Sequence, residues 1–147
     1  MKGWKTNMDR QRLLIDTNVV LDFLLAREPF DTSAKQIMEL IITGEVDVFI
    51  SINSFTDIIY FVQKKYDITA VREQMSQLLD FISIIEAGHK DAVKCLKMCE
   101  FDDIEDAFQV NCADKADIDY IITRNIKDFK NSEIPAVLPE IFLEKYI

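Results

Sequence analysis

Short apolar segments alternate with amphipathic helical segments along almost the whole chain, and this alternation most constrains the fold. Each apolar segment is too short for a helix and stops at polar residues, as a strand buried on both faces of a sheet does. Strands separated by helices are typical of a parallel sheet with helices on both faces and right-handed crossovers. We therefore predict a three-layer α/β/α sandwich with a short, mostly parallel central sheet of four to five strands. The predicted strands span residues 13–15, 46–50, 81–85 and 119–122, with a short fifth strand over residues 135–138.

The segments between the strands place apolar residues at the spacing of one helix face. Between residues 31 and 43, for example, Ala34, Ile37 and Ile41 share a face, and Gly44 follows as a stop signal. The other predicted helices span residues 19–26, 55–65, 68–79, 89–98, a stretch from the acidic residues 100–106 to about residue 117, and a C-terminal turn over residues 140–146. The polar residues 51–53 lie between the second strand and its helix.

The length of 147 residues suffices for one domain with its own hydrophobic core. We assign residues 1–12 to an N-terminal arm and residues 13–147 to the domain. The arm lacks the apolar segment of a signal peptide, and no apolar run approaches the roughly 20 residues of a membrane span. We therefore expect a cytoplasmic protein without a membrane partner.

Charge and cysteine content narrow the class of site. The chain has 17 basic and 26 acidic residues and a net charge of −9. It therefore lacks the basic surface expected of a protein that coats DNA. The single histidine, His89, and the absence of a Cys-x2-Cys pair argue against a zinc site and against a histidine-based catalytic pair. We expect Cys95, Cys99 and Cys112 to be buried, reduced thiols.

Acidic residues follow the predicted strands or begin the helices beside them. Asp16 directly follows the first strand, Asp57 lies in the helix after the second, and Asp128 lies shortly after the fourth. Asp103 and Asp106 stand where the helix before the fourth strand begins. Because the carboxyl ends of parallel strands meet at one edge of the sheet, we expect these side chains to lie together there. Taken singly, each has a structural alternative as a helix cap or a solvated helix residue.

Several carboxylates at one sheet edge repel one another unless a cation lies among them. Oxygen ligands without histidine or thiolate suit Mg²⁺ or Mn²⁺. Such ions can activate water and stabilise the leaving oxygen of a phosphodiester. The sequence therefore predicts a site for Mg²⁺ or Mn²⁺ formed from Asp16, Asp57, Asp103, Asp106 and Asp128.

Three stretches of the sequence resemble the PIN domain family, and in particular its stand-alone bacterial form, the VapC-type toxins. They are LLIDTNVVLDFLL from Leu13, DDIEDAFQVNCADKADIDYIITRNIKDF from Asp102, and IPAVLPEIFL from Ile134. The resemblance implies a metal-dependent ribonuclease, an endoribonuclease, with a small α/β/α fold. It also implies that Asp16 and Asp106 are two of the family's acids.

Two other acids of the family pattern are altered in this chain. The helix after the second strand usually carries Glu, and the matching residue here is Asp57, which is one methylene shorter. Many relatives carry Asp directly after Thr-Arg, where this chain has Asn125, and Asp128 follows three residues later. The resemblance thus implies catalytic roles for Asp16, Asp57, Asp106 and Asp128, with Asp103 as a further candidate in the pocket.

Polar neighbours are expected to support these acids. The resemblance implies that Thr17, Asn18, Thr123 and Asn125 orient the carboxylates or contact phosphate. Arg124, Lys127 and Lys130 stand beside the site, where we expect them to position phosphate groups.

The resemblance also implies partners. The substrate is RNA, and a small antitoxin protein holds toxins of this kind inactive by inserting a side chain, often arginine, into the acidic pocket. Apolar residues within 23–25 and 55–61 could contact the antitoxin or form a homodimer, although we favour the alternative that most of them belong to the core.

A non-catalytic PIN-fold binding module with a degenerate acidic site is the alternative to a nuclease, because Asp57 and Asn125 depart from the family pattern. RNA cleavage that depends on Mn²⁺ and is lost in Asp16→Asn would separate the two. A phosphatase or receiver-like protein is a weaker hypothesis, since no Asp-x-Asp follows the first strand and no lysine stands in a comparable position after the fourth.

Overall fold

The computed structural model describes residues 10–146, with the side chain of Tyr146 excepted. In chain order its elements are β1 (Gln11–Ile15), α1 (Thr17–Leu24), α2 (Asp31–Ile42), β2 (Val46–Ser51), α3 (Ile52–Val62), α4 (Ile68–Leu78), β3 (Ile82–Ile85), α5 (His89–Leu96), α6 (Ile104–Lys115), β4 (Tyr120–Ile122), a 3₁₀ helix (Ile126–Phe129), β5 (Ala136–Val137) and α7 (Pro139–Tyr146).

The five strands form one sheet in the order β3-β2-β1-β4-β5, and every neighbouring pair is parallel. Leu13 of β1 is in register with Val48 of β2 on one side and with Tyr120 of β4 on the other. The strand order reverses at β1, so the carboxyl ends of β1 and β4 border the crevice where α/β sheets bind ligands. The predicted fold class is confirmed, including the short fifth strand.

Both faces of the sheet are covered, which explains the uninterrupted apolar run of β1. Successive side chains of a strand point to opposite faces. Leu13 and Ile15 therefore belong to the larger core beneath α1–α4 and α7, whereas Leu14 belongs to a smaller core with Val110 of α6 and Ile121 of β4. These layers fix the backbone immediately before Asp16.

Several boundaries differ from the prediction. The polar residues 51–53 do not separate β2 from its helix, because the Ser51 hydroxyl caps α3 by accepting a hydrogen bond from the Ser54 amide at 3.0 Å. As a result α3 begins at Ile52, three residues before the predicted start. Strand β1 begins at Gln11, inside the predicted arm, and residues 1–9 of that arm lie outside the described residues.

The helix faces considered for partner contact are divided between core and surface. Phe23, Leu25 and Phe55 are partly buried against the larger core, as the core alternative predicts. Tyr60 and Phe61 near the end of α3 are exposed, and their rings meet edge to face. Within residues 10–146, no helix is both long and apolar enough to cross a membrane.

Candidate active site

Asp16 stands at the point where the strand order reverses. Its backbone amide donates a hydrogen bond to the Ile122 carbonyl at 3.0 Å, which ties the end of β1 to the end of β4. The backbone at Asp16 is extended, and the residue serves as the N-cap of α1. Its carboxylate therefore projects from the carboxyl edge of the sheet beside a helix N-terminus, a location that favours negative charge.

Within residues 10–146, three donors from three parts of the chain hold this carboxylate. The Thr17 amide donates to Asp16 Oδ1 at 2.8 Å, and the fully buried Thr123 hydroxyl donates to Oδ2 at 2.8 Å. The third donor is Gln109 of α6, whose Nε2 lies 3.3 Å from Oδ1. Both carboxylate oxygens are thus oriented by contacts that favour the ionised form.

The pKa of Asp16 is nevertheless raised above its ordinary value. Burial is the main cause, and the negative charge of Asp128 adds to it, against the lowering effect of the bonds from Thr123, Thr17 and Gln109. Burial therefore outweighs three hydrogen bonds that favour the ionised form.

Asp106 shows the same effect more clearly. Burial raises the pKa of Asp106 to about 6, and the charges of Asp128, Asp103, Asp16 and Glu105 contribute in that order. The structure therefore brings Asp16, Asp106 and Asp128 close enough for their charges to oppose one another. Asp128 itself is exposed, at the 3₁₀ helix that follows β4.

Asp103 also has a structural role. It is the exposed N-cap of α6, and its Oδ1 accepts a hydrogen bond from the Glu105 amide at 2.8 Å. This is the capping role weighed for it from the sequence, and its charge acts on Asp106 as well.

Asp57 lies apart from this set of interactions. It is exposed on α3, and its charge is not among the causes that raise the pKa values of Asp16 and Asp106. The α3 residue that joins the site is the buried Ser54, whose hydroxyl accepts from Thr17 Oγ1 at 2.8 Å and from Gln109 Nε2 at 3.2 Å. A metal-binding role for Asp57 stays a prediction from the sequence.

The residues after β4 have unequal roles. The Asn125 amide donates to Thr123 Oγ1 at 3.0 Å, while the Asn125 side chain is exposed. Arg124 is engaged in the structure, and a phosphate contact by it stays a prediction from the sequence. Its guanidinium forms an ion pair with the buried carboxylate of Asp22, with Nε 2.8 Å from Oδ2. Asn18 is half-buried in the first turn of α1, and within residues 10–146 its side chain shows no hydrogen bond.

Sequence reasoning missed Gln109, Ser54 and Asp22. For Gln109 a signal was available, because it lies three residues after Asp106 and therefore shares a helix face with it. Ser54 was placed outside the helices, and Asp22 sits among apolar residues of α1 that gave no sign of a buried charge.

The ionisable groups gathered at this edge are carboxylates, and carboxylate oxygen is the donor type that suits a hard divalent cation. Within residues 10–146, no three His, Cys, Asp or Glu side chains are arranged so that they alone could hold a metal ion. Mg²⁺ often needs only one or two carboxylates, however, because waters and substrate phosphates complete its shell. Asp16 and Asp106, with their raised pKa values, are the carboxylates whose charge a cation would compensate.

Comparisons with known proteins agree on one family. Residues 12–127 match the family model described as the PIN domain. The chain is similar to ribonuclease VapC1 of Aquifex aeolicus (strain VF5), with 24% identity over 143 residues, which cover 95% of this chain and 98% of the relative.

Solved structures share the fold. A toxin-antitoxin complex from Klebsiella pneumoniae superposes with a TM-score of 0.65 at 24% identity, covering 86% of this chain and 97% of that one. VapBC-1 from nontypeable Haemophilus influenzae superposes with a TM-score of 0.66 at 13% identity, covering 88% and 99%.

Proposed function

This chain belongs to the PIN domain family, and from that premise we propose that it is a toxin-type ribonuclease that hydrolyses RNA phosphodiester bonds with Mg²⁺ or Mn²⁺. The observation that carries the proposal is the group formed by Asp16, Asp106 and Asp128 at the carboxyl edge of the sheet. The similarity to ribonuclease VapC1 supports the same activity.

The chain's own residues supply a fixed anionic surface for a cation. Asp16 is held by donors from α1, α6 and the end of β4, so its oxygens need no reorientation when a ligand arrives. Asp106 and Asp128 add charge from two other elements, and Asp57 stays in the proposal as a ligand from α3. A bound divalent cation would lower the pKa of a coordinated water and polarise the phosphodiester.

Without positive charge nearby, the carboxylates at this edge of the sheet would repel the phosphates of RNA. The exposed Lys127 and Lys130 flank Asp128 and are free of the restraint that holds Arg124. We assign them to phosphate contact. The net charge of −9 is compatible with RNA binding because a divalent cation held by Asp16 and Asp106 would offset the local negative charge.

The first test is RNA cleavage by the wild type, Asp16→Asn and Asp80→Asn, each in Mn²⁺ and in chelator, on structured and single-stranded RNAs. Asn at position 16 can keep the cap of α1 and accept from Gln109, so the fold should survive while cleavage falls by orders of magnitude. Asp80 is the matched control, because it is exposed and lies just before the amino end of β3, whereas Asp16 follows the carboxyl end of β1. Cleavage in chelator, or full activity of Asp16→Asn, would overturn the proposal.

The same assay addresses Asp57. If the shorter side chain weakens the site, Asp57→Glu should preserve or raise Mn²⁺-dependent cleavage. A loss of activity in Asp57→Glu would instead mean that the position does not tolerate the longer carboxylate.

The alternative function is a binding module that has kept the fold and lost the chemistry. It is favoured by the absence of a ready three-ligand site among the described residues and by Asn125. A wild type that binds Mn²⁺ but cleaves none of the RNAs would support this alternative.

We propose a small antitoxin as the protein partner. The fold shared with the Klebsiella pneumoniae toxin-antitoxin complex supports this partner, and a homodimer is a further proposal. The product of a small neighbouring gene should bind the chain and suppress RNA cleavage. It should also slow hydrogen exchange of the backbone amides around Asp16.

A further inference from the structure

Gln109 occupies an unusual position for a polar side chain. It is only 8% exposed and lies on α6, one helical turn after Asp106. Its Nε2 contacts two groups, Asp16 Oδ1 at 3.3 Å and Ser54 Oγ at 3.2 Å. The amide therefore connects the end of β1 with helices from both layers, α3 and α6, at the carboxyl edge of the sheet.

The orientation of the amide follows from its neighbours. If its two ends were exchanged, the Gln109 carbonyl oxygen would face the ionised Asp16 carboxylate, and two acceptors would repel each other. With Nε2 toward Asp16, both amide hydrogens have acceptors. The carbonyl oxygen Oε1 is then buried and, within residues 10–146, has no hydrogen-bond partner.

That unpartnered oxygen is a cost that packing at this position does not require. A buried acceptor without a donor destabilises the fold, whereas an apolar side chain of similar shape would fill the same space without this penalty. Packing alone therefore does not favour an amide at this position. The same holds for Asn111, and what distinguishes Gln109 is that its donors reach Asp16 and Ser54, whereas that of Asn111 reaches Asp91.

The network has one further property. Ser54 Oγ accepts from Gln109 and also from Thr17 Oγ1 at 2.8 Å, so Thr17, Ser54, Gln109 and Asp16 form a closed ring of hydrogen-bonded residues. Among the three donors to Asp16, only Gln109 lies on the helix that also carries Asp106. It can therefore fix how the two carboxylates lie relative to each other.

We propose that Gln109 is a positioning residue that presets Asp16 against Asp106 and thereby determines the affinity of the site for a divalent cation. The inference rests on the proposed function, since it concerns the same site. Residues that orient metal ligands typically change metal affinity by about 10–100-fold when they are replaced. Gln109→Met keeps the approximate volume and removes both donors.

The test compares Gln109→Met with Asn111→Leu, in the full chain, by titration with Mn²⁺ followed through the electron paramagnetic resonance signal of the free ion. Asn111 is the matched control, because it is a second buried amide of α6 with an unpartnered oxygen, and its Nδ2 binds Asp91 at 2.8 Å on α5, away from Asp16. We expect the Kd of Gln109→Met for Mn²⁺ to rise by about tenfold or more. We expect the Kd of Asn111→Leu to stay at the wild-type value.

Two further measurements separate positioning from folding. In chelator, Gln109→Met should melt no lower than the wild type, because the variant also removes the unpartnered oxygen. In RNA cleavage its kcat should fall while KM changes little. Ser54→Ala, which removes the second anchor of the amide, should weaken Mn²⁺ binding in the same direction and by less.

The outcomes distinguish this inference from the proposed function. Wild-type Mn²⁺ affinity in Gln109→Met, with binding lost in Asp16→Asn, would overturn the role of Gln109 and leave the metal site standing. Equal weakening in Gln109→Met and Asn111→Leu would also overturn it, since the effect would then be a general one of α6. A wild type that binds no Mn²⁺ would overturn the proposed function and this inference together.

Discussion

The guanidinium of Arg124 forms a two-point ion pair with the carboxylate of Asp22, with Nε 2.8 Å from Oδ2 and Nη2 3.2 Å from Oδ1. Asp22 is only 1% exposed. The Arg124 guanidinium also lies 3.9 Å from the centre of the Phe30 ring, a cation–π contact. The pair joins α1 to the segment that leads from Thr123 to Asp128, so it holds one wall of the candidate site in place.

Replacing Arg124 should destabilise the fold. In Arg124→Met the Asp22 carboxylate stays buried, and the cation left beside it within residues 10–146 is Arg27, whose Nη1 lies 4.0 Å from Oδ1. Breaking one partner of a buried pair typically costs about 3–5 kcal/mol, and we expect a loss of about 3 kcal/mol in urea unfolding. Lys127→Met, an exposed lysine of the same segment, is the control and should change the free energy of unfolding by less than about 0.5 kcal/mol.

A second variant makes this result specific to the pair. Asp22→Leu combined with Arg124→Met should recover much of the lost stability, because no unpaired charge is then buried. Equal losses in Arg124→Met and Lys127→Met would contradict the structural role and leave Arg124 with the phosphate-positioning role expected from the sequence.

The sequence predicted those features that depend on neighbours along the chain. The run Leu13–Ile15 is apolar on both faces because both faces are covered, and Asp16 lies at the sheet edge because it follows that run. Local patterns of this kind place a residue at an edge or at a helix start.

Contacts between distant residues could not be predicted in the same way. Gln109 meets Asp16 across 93 positions, and Arg124 meets Asp22 across 102. Ser54 was missed for a related reason. The Ser51 cap starts α3 three residues earlier than predicted, and this start places Ser54 on the buried face of the helix.

The three cysteines should differ in reactivity. Cys95 and Cys112 are buried, but Cys99 is exposed, and the expectation that all three are buried was wrong. Burial raises the pKa of Cys95, and it raises the pKa of Cys112 to about 11, so neither forms much thiolate near neutral pH. Iodoacetamide should therefore modify Cys99 in preference to Cys95 and Cys112 in the native protein. Cys99 and Cys112 share one tryptic peptide, so tandem mass spectrometry of its fragments assigns the modified cysteine. Modification of Cys112 at a similar rate without denaturant would contradict its burial.

Asp106→Asn should stabilise the protein in chelator. The pKa of Asp106 is raised from 3.8 to about 6, because burial and four neighbouring acids disfavour the charged form in the folded state. The folded state therefore holds its proton more tightly than the unfolded chain does. Consequently the free energy of unfolding of the wild type falls as the pH rises from 3.8 to about 6, and it stays at the lower value above that range.

Asp106→Asn lacks this pH dependence. Its Tm should therefore equal that of the wild type at about pH 4 and exceed it by a few degrees at neutral pH. Mn²⁺ should then raise the Tm of the wild type more than that of Asp106→Asn, since a ligand stabilises the state that binds it. A lower Tm for Asp106→Asn in chelator would mean that its charge acts mainly on the N-terminus of α6.

Replacing Asp128 should lower the pKa of Asp106. Among the four acids whose charge raises the pKa of Asp106, Asp128 has the largest effect, and its charge also raises the pKa of Asp16. In Asp128→Asn the pKa of Asp106 should fall from about 6 toward its ordinary value of 3.8, without reaching it, because burial is the main cause of the shift. The measurement is a pH titration of the carboxyl carbon by ¹³C NMR in chelator.

Asp57→Asn is the matched variant in this titration. Asp57 is exposed on α3, and its charge is absent from the causes of the Asp106 shift, so the pKa of Asp106 should remain at about 6. If Asp57→Asn lowers that pKa as much as Asp128→Asn does, Asp57 lies within the charge cluster in solution, and the fourth acid of the site is the one that the sequence indicates. If only Asp128→Asn lowers it, the cluster is built from β1, α6 and the segment after β4, and α3 contributes the neutral Ser54 to it instead of a carboxylate.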